Sequence, residues 1–284
     1  MCATCGCGGD GETTVLNLQT GLAARGQSLE HVHADGTRHA HAHGHDHLHT
    51  RHRRNEPHID AHGTVIDIEA RILAKNDAQA TRNREWLAGR QILALNLVSA
   101  PGAGKTTLLE RTIAAAHDLP LCVIEGDQAT SRDGERIRRA GAPVVQLNTG
   151  SGCHLDATMV RRGLAELQPD VGSVVLIENV GNLVCPALFD LGEHAKVVIF
   201  SVTEGEDKPL KYPHMFRTAG LILLNKIDLL PHLDFSPAQA AENIRQVNPE
   251  AAILDVSART GAGLSGWLDW LRDAAAASRE FILP

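Results

Sequence analysis

Residues 99–107 read Ser99-Ala100-Pro101-Gly102-Ala103-Gly104-Lys105-Thr106-Thr107, directly behind the apolar run Ile92-Leu93-Ala94-Leu95-Asn96-Leu97-Val98. A glycine-rich loop between a strand and a helix turns backbone N–H groups and a helix N-terminus toward negative charge, the usual cradle for phosphates. In that arrangement Lys105 reaches the β- and γ-phosphates and the Thr106 hydroxyl sits on Mg²⁺. Pro101, Gly102, Ala103, Gly104 and Thr107 complete the cradle, which departs from the common pattern in having Ser99 at its first position. A second motif, Asn225-Lys226-Ile227-Asp228, follows the apolar run Leu221-Ile222-Leu223-Leu224, about 120 residues further on. The Asp228 carboxylate can accept from the ring N–H and the exocyclic amine of guanine. Adenine lacks that donor pair and would leave the carboxylate unpaired, a penalty that rejects the wrong base by roughly four orders of magnitude. Ser257-Ala258, after Ile253-Leu254-Asp255-Val256, matches the short loop that backs a guanine ring. Together the three segments imply a site for GTP and GDP.

A different chemistry is written in the cysteines and histidines. Cys2, Cys5 and Cys7 fall in a Cys-x-x-Cys-Gly-Cys run with no apolar neighbours to explain them as core. Thiolates bind soft or borderline metals; a square-planar N/S set favours Ni²⁺ and a tetrahedral set Zn²⁺. The bland alternative is a reactive tail without metal. Residues 31–62 hold eleven of the sixteen histidines, among them His39, His41, His43, His45, His47 and His49 in strict alternation. Imidazoles on such a tract hold several Ni²⁺ ions weakly rather than one tightly. Finally, Cys153-His154 follows the loop Asn148-Thr149-Gly150-Ser151-Gly152, and Cys185 closes Glu178-Asn179-Val180-Gly181-Asn182-Leu183-Val184. The latter has the place of the loop that senses the γ-phosphate in P-loop proteins. Ligands there would couple metal affinity to nucleotide state. On spacing alone Cys153 and Cys185 read equally well as buried thiols, and His154 as a surface residue. Cys122 lies within an apolar run and reads as core; His117, His194, His214 and His232 are isolated, and read as surface or hydrogen-bonded residues.

These groups need a frame. Apolar runs at 92–98, 121–124, 143–147, 173–177, 196–202, 220–224 and 252–256 alternate with helical or loop segments. That alternation predicts an α/β fold, a mostly parallel sheet covered by helices on both faces, and the phosphate loop behind its first run makes it one of the P-loop NTPase kind. The expected organisation is a metal-binding segment over 1–30, a His-rich tract over 31–62, a helix or linker over 63–90 and the nucleotide domain over 91–284. The segment 1–30 shows no sustained periodicity. The His-rich tract cannot bury a core and is expected to be disordered without metal. Val65, Ile68, Ile72, Trp86 and Leu87 give the helix at 64–88 a weak apolar stripe, and a last helix is expected from Leu264 to about Ala277 with Trp267, Leu268 and Leu271 inward.

Bulk properties narrow the partners. The 284 residues are 43% hydrophobic and carry a formal charge of −7, which argues against nucleic acid. No run has the length and purity of a membrane span, and the N-terminus has no apolar signal core, so a reducing cytoplasm is the expected compartment.

The chain resembles the HypB family of SIMIBI-class GTPases, which help insert nickel into [NiFe]-hydrogenase. The likeness covers nearly the whole chain: the Cys2/Cys5/Cys7 start, the histidine insert, Pro101–Thr106, Glu125-Gly126-Asp127-Gln128, Asn148-Thr149-Gly150, Gly152-Cys153-His154-Leu155-Asp156, Glu178–Pro186, Glu204–Leu210 and Asn225–Asp228. The resemblance implies a G domain that dimerises with GTP, a tight nickel site at Cys2, Cys5 and Cys7, and a weaker nickel or zinc site at Cys153, His154 and Cys185. It implies Asp127 as a Mg²⁺-associated acid beside Thr106, and GTP hydrolysis that depends on Lys105 and Asp127. Implied partners are a HypA-type nickel chaperone, the hydrogenase large subunit and a nickel-binding prolyl isomerase metallochaperone. Many SIMIBI ATPases have a second lysine early in the phosphate loop; Ala100 stands there in this chain. A nickel store with a passive G domain and a urease-type nickel GTPase are the competing readings. The adjacency of Cys153 and His154, with no proline between, and the Cys-x-x-Cys-Gly-Cys start argue against the second.

Overall fold

The computed structural model describes residues 14–21, 23–25, 31–32, 38–39, 61–127, 132–149 and 154–280. Cys2, Cys5, Cys7, Cys153, His41, His43, His45, His47 and His49 lie outside the described residues, as do the side chains of His39, Val65 and Ile68.

Two short strands come first, β1 (Thr14–Asn17) and β2 (Ala23–Arg25), then the pair β3 (His31–Val32) and β4 (Arg38–His39) and the long helix α1 (Ala61–Ala88). Strand and helix then alternate: β5 (Leu93–Ser99), α2 (Lys105–Ala115), β6 (Leu121–Asp127), α3 (Arg132–Ala140), β7 (Val144–Asn148), α4 (Ala157–Leu167) and β8 (Val174–Glu178). The second half runs α5 (Cys185–Leu188), β9 (Ala195–Ser201), α6 (Lys208–Lys211), α7 (Pro213–Arg217) and β10 (Ala219–Asn225). A 3₁₀ turn (Ile227–His232), α8 (Pro237–Val247), β11 (Ala252–Val256) and α9 (Leu264–Glu280) complete it.

Nine strands form one sheet in the order β11-β10-β9-β5-β8-β6-β7-β1-β2. The seven from β5 to β11 are parallel, and β1 and β2 add antiparallel to one edge. The parallel strands are continuous apolar runs because helices cover both faces. Side-chain alternation splits each strand between them. Leu93, Leu95 and Leu97 pack with Leu108, Leu109 and Trp267 of α2 and α9. Ala94 packs with Leu87, Val160 and Leu164 of α1 and α4, and Val98, further along the same face, with Phe216 and Ile244 of α7 and α8. Each such aliphatic side chain taken fully from water contributes about 1.5–3 kcal/mol.

Cys122 is a core thiol as expected, its pKa pushed up to about 12 by burial. The expected stripe on α1 is corrected. Leu87 is inward as expected, with Trp86 packed against the same core, but Ile72 is 53% exposed, and the helix also turns Asn76, Ala80 and Asn83 inward. β1 and β2, inside a segment without periodic pattern, complete the sheet edge through Thr14↔Asn148 and Asn17↔Val145. Four residues are too few to show a period of two.

Candidate functional site

The phosphate-type loop leaves the C-terminal end of β5 at the centre of the parallel sheet, where open α/β sheets bind ligands. Gly104 precedes α2 in a left-handed conformation (φ 104°) and no side chain caps the helix, so its first N–H groups face outward from the loop. Glycine is required there for a second reason: a Cβ on Gly104 would lie 2.5 Å from Asn225 Nδ2. Lys105 and Thr106 follow, both buried. Lys105 Nζ donates to Ser99 Oγ (2.8 Å), which gives the non-glycine first position of the motif a role. Burial lowers the Lys105 pKa, against the opposing pull of Glu178, Asp133 and Glu125. Thr107 Oγ1 accepts from Arg136 of α3 (3.3 Å), which also grips Glu110 of α2.

Two carboxylates that the sequence reading quoted without a role sit behind this loop. Glu125 ends the apolar run of β6 and Glu178 that of β8, and the strands place them opposite one another. Thr106 Oγ1 donates to Glu178 Oε1 (2.8 Å). The Oε2 atoms of both glutamates are buried without a hydrogen-bond partner. Burial drives both pKa values up: Glu125 to about 9, with Glu178 and Asp127 adding to the push, and Glu178 to about 7, with Lys105 and Thr106 opposing. Paired buried carboxylates beside a threonine hydroxyl form a hard oxygen set, and the donor chemistry fits Mg²⁺. The signal that could have found them is an acidic residue closing an otherwise apolar buried strand. Asp127 ends β6, and its carbonyl accepts from Thr149 N (2.9 Å).

The guanine-type motif is wired to the loop. Asn225 Nδ2 donates to Ala103 O (2.8 Å), and Asn225 Oδ1 accepts from Ala258 N (3.1 Å). Lys226, itself left-handed (φ 64°), donates from Nζ to Gly102 O (2.7 Å). Ser257 Oγ donates to Asp228 Oδ1 (2.6 Å). The structure thus brings together Gly102–Thr106, Asn225, Lys226, Asp228, Ser257 and Ala258, and Pro101 lies in the same loop.

The metal-type residues lie on the next segments of the same sheet end. Cys185 opens α5 and is buried. The His154 ring packs on Phe189, just beyond α5, with centroids 4.0 Å apart. Burial lowers the His154 pKa, against Asp156, and favours the neutral imidazole that metals bind. Asp156 caps α4 by accepting from Met159 N (2.7 Å). Among the described residues no three His, Cys, Asp or Glu side chains converge as a metal cage; Cys153, the third member expected, lies outside them. His194, read as isolated, accepts from Ala94 N through Nδ1 (3.3 Å). No helix among the described residues is long and apolar enough to cross a membrane.

Residues 93–255 match the CobW/HypB/UreG nucleotide-binding domain. The hydrogenase maturation factor HypB of Cupriavidus necator is 44% identical across 98% of this chain and 90% of its own. That of Rhizobium leguminosarum is 57% identical, over 75% of this chain and 71% of its own. Among solved structures, HypB of Helicobacter pylori in complex with nickel aligns with a TM-score of 0.68 and 35% identity, over 74% of this chain and 99% of that one. HypB of Archaeoglobus fulgidus aligns at 0.67 and 39%, over 71% and 99%. On the family model and these identities, the chain belongs to the HypB family of P-loop nucleotide-binding proteins.

Proposed function

We propose that the chain is a nickel-binding GTPase that delivers nickel during maturation of [NiFe]-hydrogenase. The observation that carries this reading is the hydrogen-bonded unit of Asn225, Lys226, Asp228 and Ser257 with the phosphate loop, beside segments that bear His154 and Cys185. Asp228 recognises guanine, and Ser257–Ala258 backs the ring. The N–H groups of Gly102–Thr106 hold the phosphates. Lys105 exchanges Ser99 for the β- and γ-phosphate oxygens. Thr106 and Asp127 would hold Mg²⁺, with Glu178 orienting the Thr106 hydroxyl, and the ion supplies charge neutralisation at the transferring phosphoryl group.

Nickel is the cargo. Cys2, Cys5 and Cys7 take it tightly, the histidines of 31–62 concentrate it, and Cys153, His154 and Cys185 hold it (or zinc) at the G domain. GTP favours a homodimer; hydrolysis relaxes the segment from Glu178 to Cys185 and lowers metal affinity there. A HypA-type chaperone, a nickel-binding prolyl isomerase and the hydrogenase large subunit are the proposed partners, in the cytoplasm. Coupling of nucleotide and metal on this scale is about 1–3 kcal/mol.

Calorimetry with GTP and ATP tests the base-reading step. Strong preference for GTP is expected, and equal affinities overturn the reading. Lys105→Ala separates delivery from storage: bound nickel should remain while hydrogenase maturation stops.

A further inference from the structure

Two adjacent residues connect the phosphate loop to the metal-type loop. Glu178 accepts from the Thr106 hydroxyl (2.8 Å). The next residue, Asn179, is 1% exposed and reaches the other way. Its Oδ1 accepts from Leu155 N (3.2 Å), directly after His154, and from Val180 N (2.9 Å), the first step of the segment leading to Cys185. Its Nδ2 donates to Asn96 Oδ1 of β5 (3.3 Å), and Asn96 in turn donates to Glu193 (3.1 Å). Any shift of this side chain must carry the Leu155 and Val180 amides with it or give up a hydrogen bond that is costly to leave unmade.

The far side of the same segments is hydrogen-bonded to α1. Asn76 of α1 accepts from Ala157 N (2.9 Å) and donates to Asp190 O (2.7 Å). Asn83 donates to Ala157 O (2.8 Å) and Leu191 O (2.9 Å). Close approach of α1 here needs Gly192 (φ 88°), where a Cβ would fall 2.5 Å from Ala80 O. The short stretch His154–Asp156 therefore runs between a fixed end at Ala157 and a hydrogen bond to Asn179.

We propose that Asn179 is the positioning residue that carries nucleotide state to the metal loop: a displacement of Glu178 when Thr106 engages the nucleotide moves Asn179, and Asn179 moves the backbone of Leu155 and hence His154, against α1 as a fixed support. The inference rests on the nickel-GTPase reading above and names the group that couples its two halves. Asn179 acts through Leu155 and Val180, not on nucleotide or metal.

The test uses the full-length chain with Cys2, Cys5 and Cys7 replaced by alanine and the eleven histidines of 31–62 by asparagine, so that nickel titration reports the G-domain site. Nickel affinity is measured with GDP and with a non-hydrolysable GTP analogue. The parent should show a ratio of about 5- to 150-fold between the two; a ratio of one in the parent defeats the nickel-GTPase coupling itself. Asn179→Ala should bring the ratio to within about twofold while the GDP-state nickel affinity stays within a few-fold, a pattern that general loosening of the site would not produce. A retained ratio in Asn179→Ala overturns the proposal. Hydrogen exchange on the parent gives a readout that needs no foldable variant. The Leu155 amide should change protection between the two nucleotide states, and equal protection overturns the proposal just as firmly.

Discussion

The guanine end of the molecule is cross-braced by side chains: Asn225 and Lys226 hold the carbonyls of Ala103 and Gly102, and Asp228 holds Ser257. The His154–Cys185 end is built another way. His154 leans on Phe189, and the chain behind it is fixed to α1 through Asn76 and Asn83. One end is tied together by side chains reaching across to the phosphate-type loop. The other carries His154 on a short segment bonded to α1 at one side and to Asn179 at the other. The contrast teaches that two neighbouring segments at one sheet end can be held in different ways, one by side-chain amides across the loop and the other by a helix packed behind it.

Four changes break or sharpen that contrast. Asp228→Asn should have the largest effect, reducing the preference for GTP over ATP by about 10²–10⁴ while leaving nickel binding intact, read by calorimetry with each nucleotide. Asn225→Ala strips the brace, leaving Ala103 O and Ala258 N without their partner, at about 1–3 kcal/mol for each buried group. Denaturant unfolding and GDP affinity should both register the loss. Asn83→Ala unfastens α1 from Ala157 and Leu191 at a similar cost per carbonyl. Here the nucleotide affinity should hold and G-domain nickel affinity should fall, in a chain lacking the N-terminal thiols.

The fourth change is read in pH. Glu125 and Glu178 are held above the ordinary value of 4.5 when folded, so their contribution is complete below 4.5 and is lost as pH rises through about 7 and about 9. Thermal stability of nucleotide- and metal-free protein should therefore decline over that window. Glu125→Gln should flatten its alkaline part, followed as Tm against pH in a chelating buffer; an unchanged slope removes Glu125 from the account.

Legibility from sequence followed contiguity. The phosphate loop and Asn225–Asp228 are single runs behind single strands, so local pattern exposes them. Glu125 and Glu178 form a pair only because β6 lies beside β8 with those residues in register. The buried face of α1 is legible only at Trp86 and Leu87, for a related reason. Hydrophobic periodicity finds apolar stripes, whereas this face is held by Asn76 and Asn83 donating to loop carbonyls. Ile72 belongs to the apparent stripe and is exposed.

Residue order alone determined the alternating frame, the phosphate-type loop and the Asn225–Asp228 motif behind its strand, because each depends on neighbours along the chain and on strand and helix periods. Tertiary structure alone decided which carboxylates share the cradle, that Asn225 ties its two halves together, and that α1 and Asn179 meet either side of the His154 segment. Those contacts join residues far apart in the chain, through hydrogen bonds whose partners are mostly backbone atoms. A backbone carbonyl or N–H has no signature in the sequence, so only the fold can say which side chain will find it.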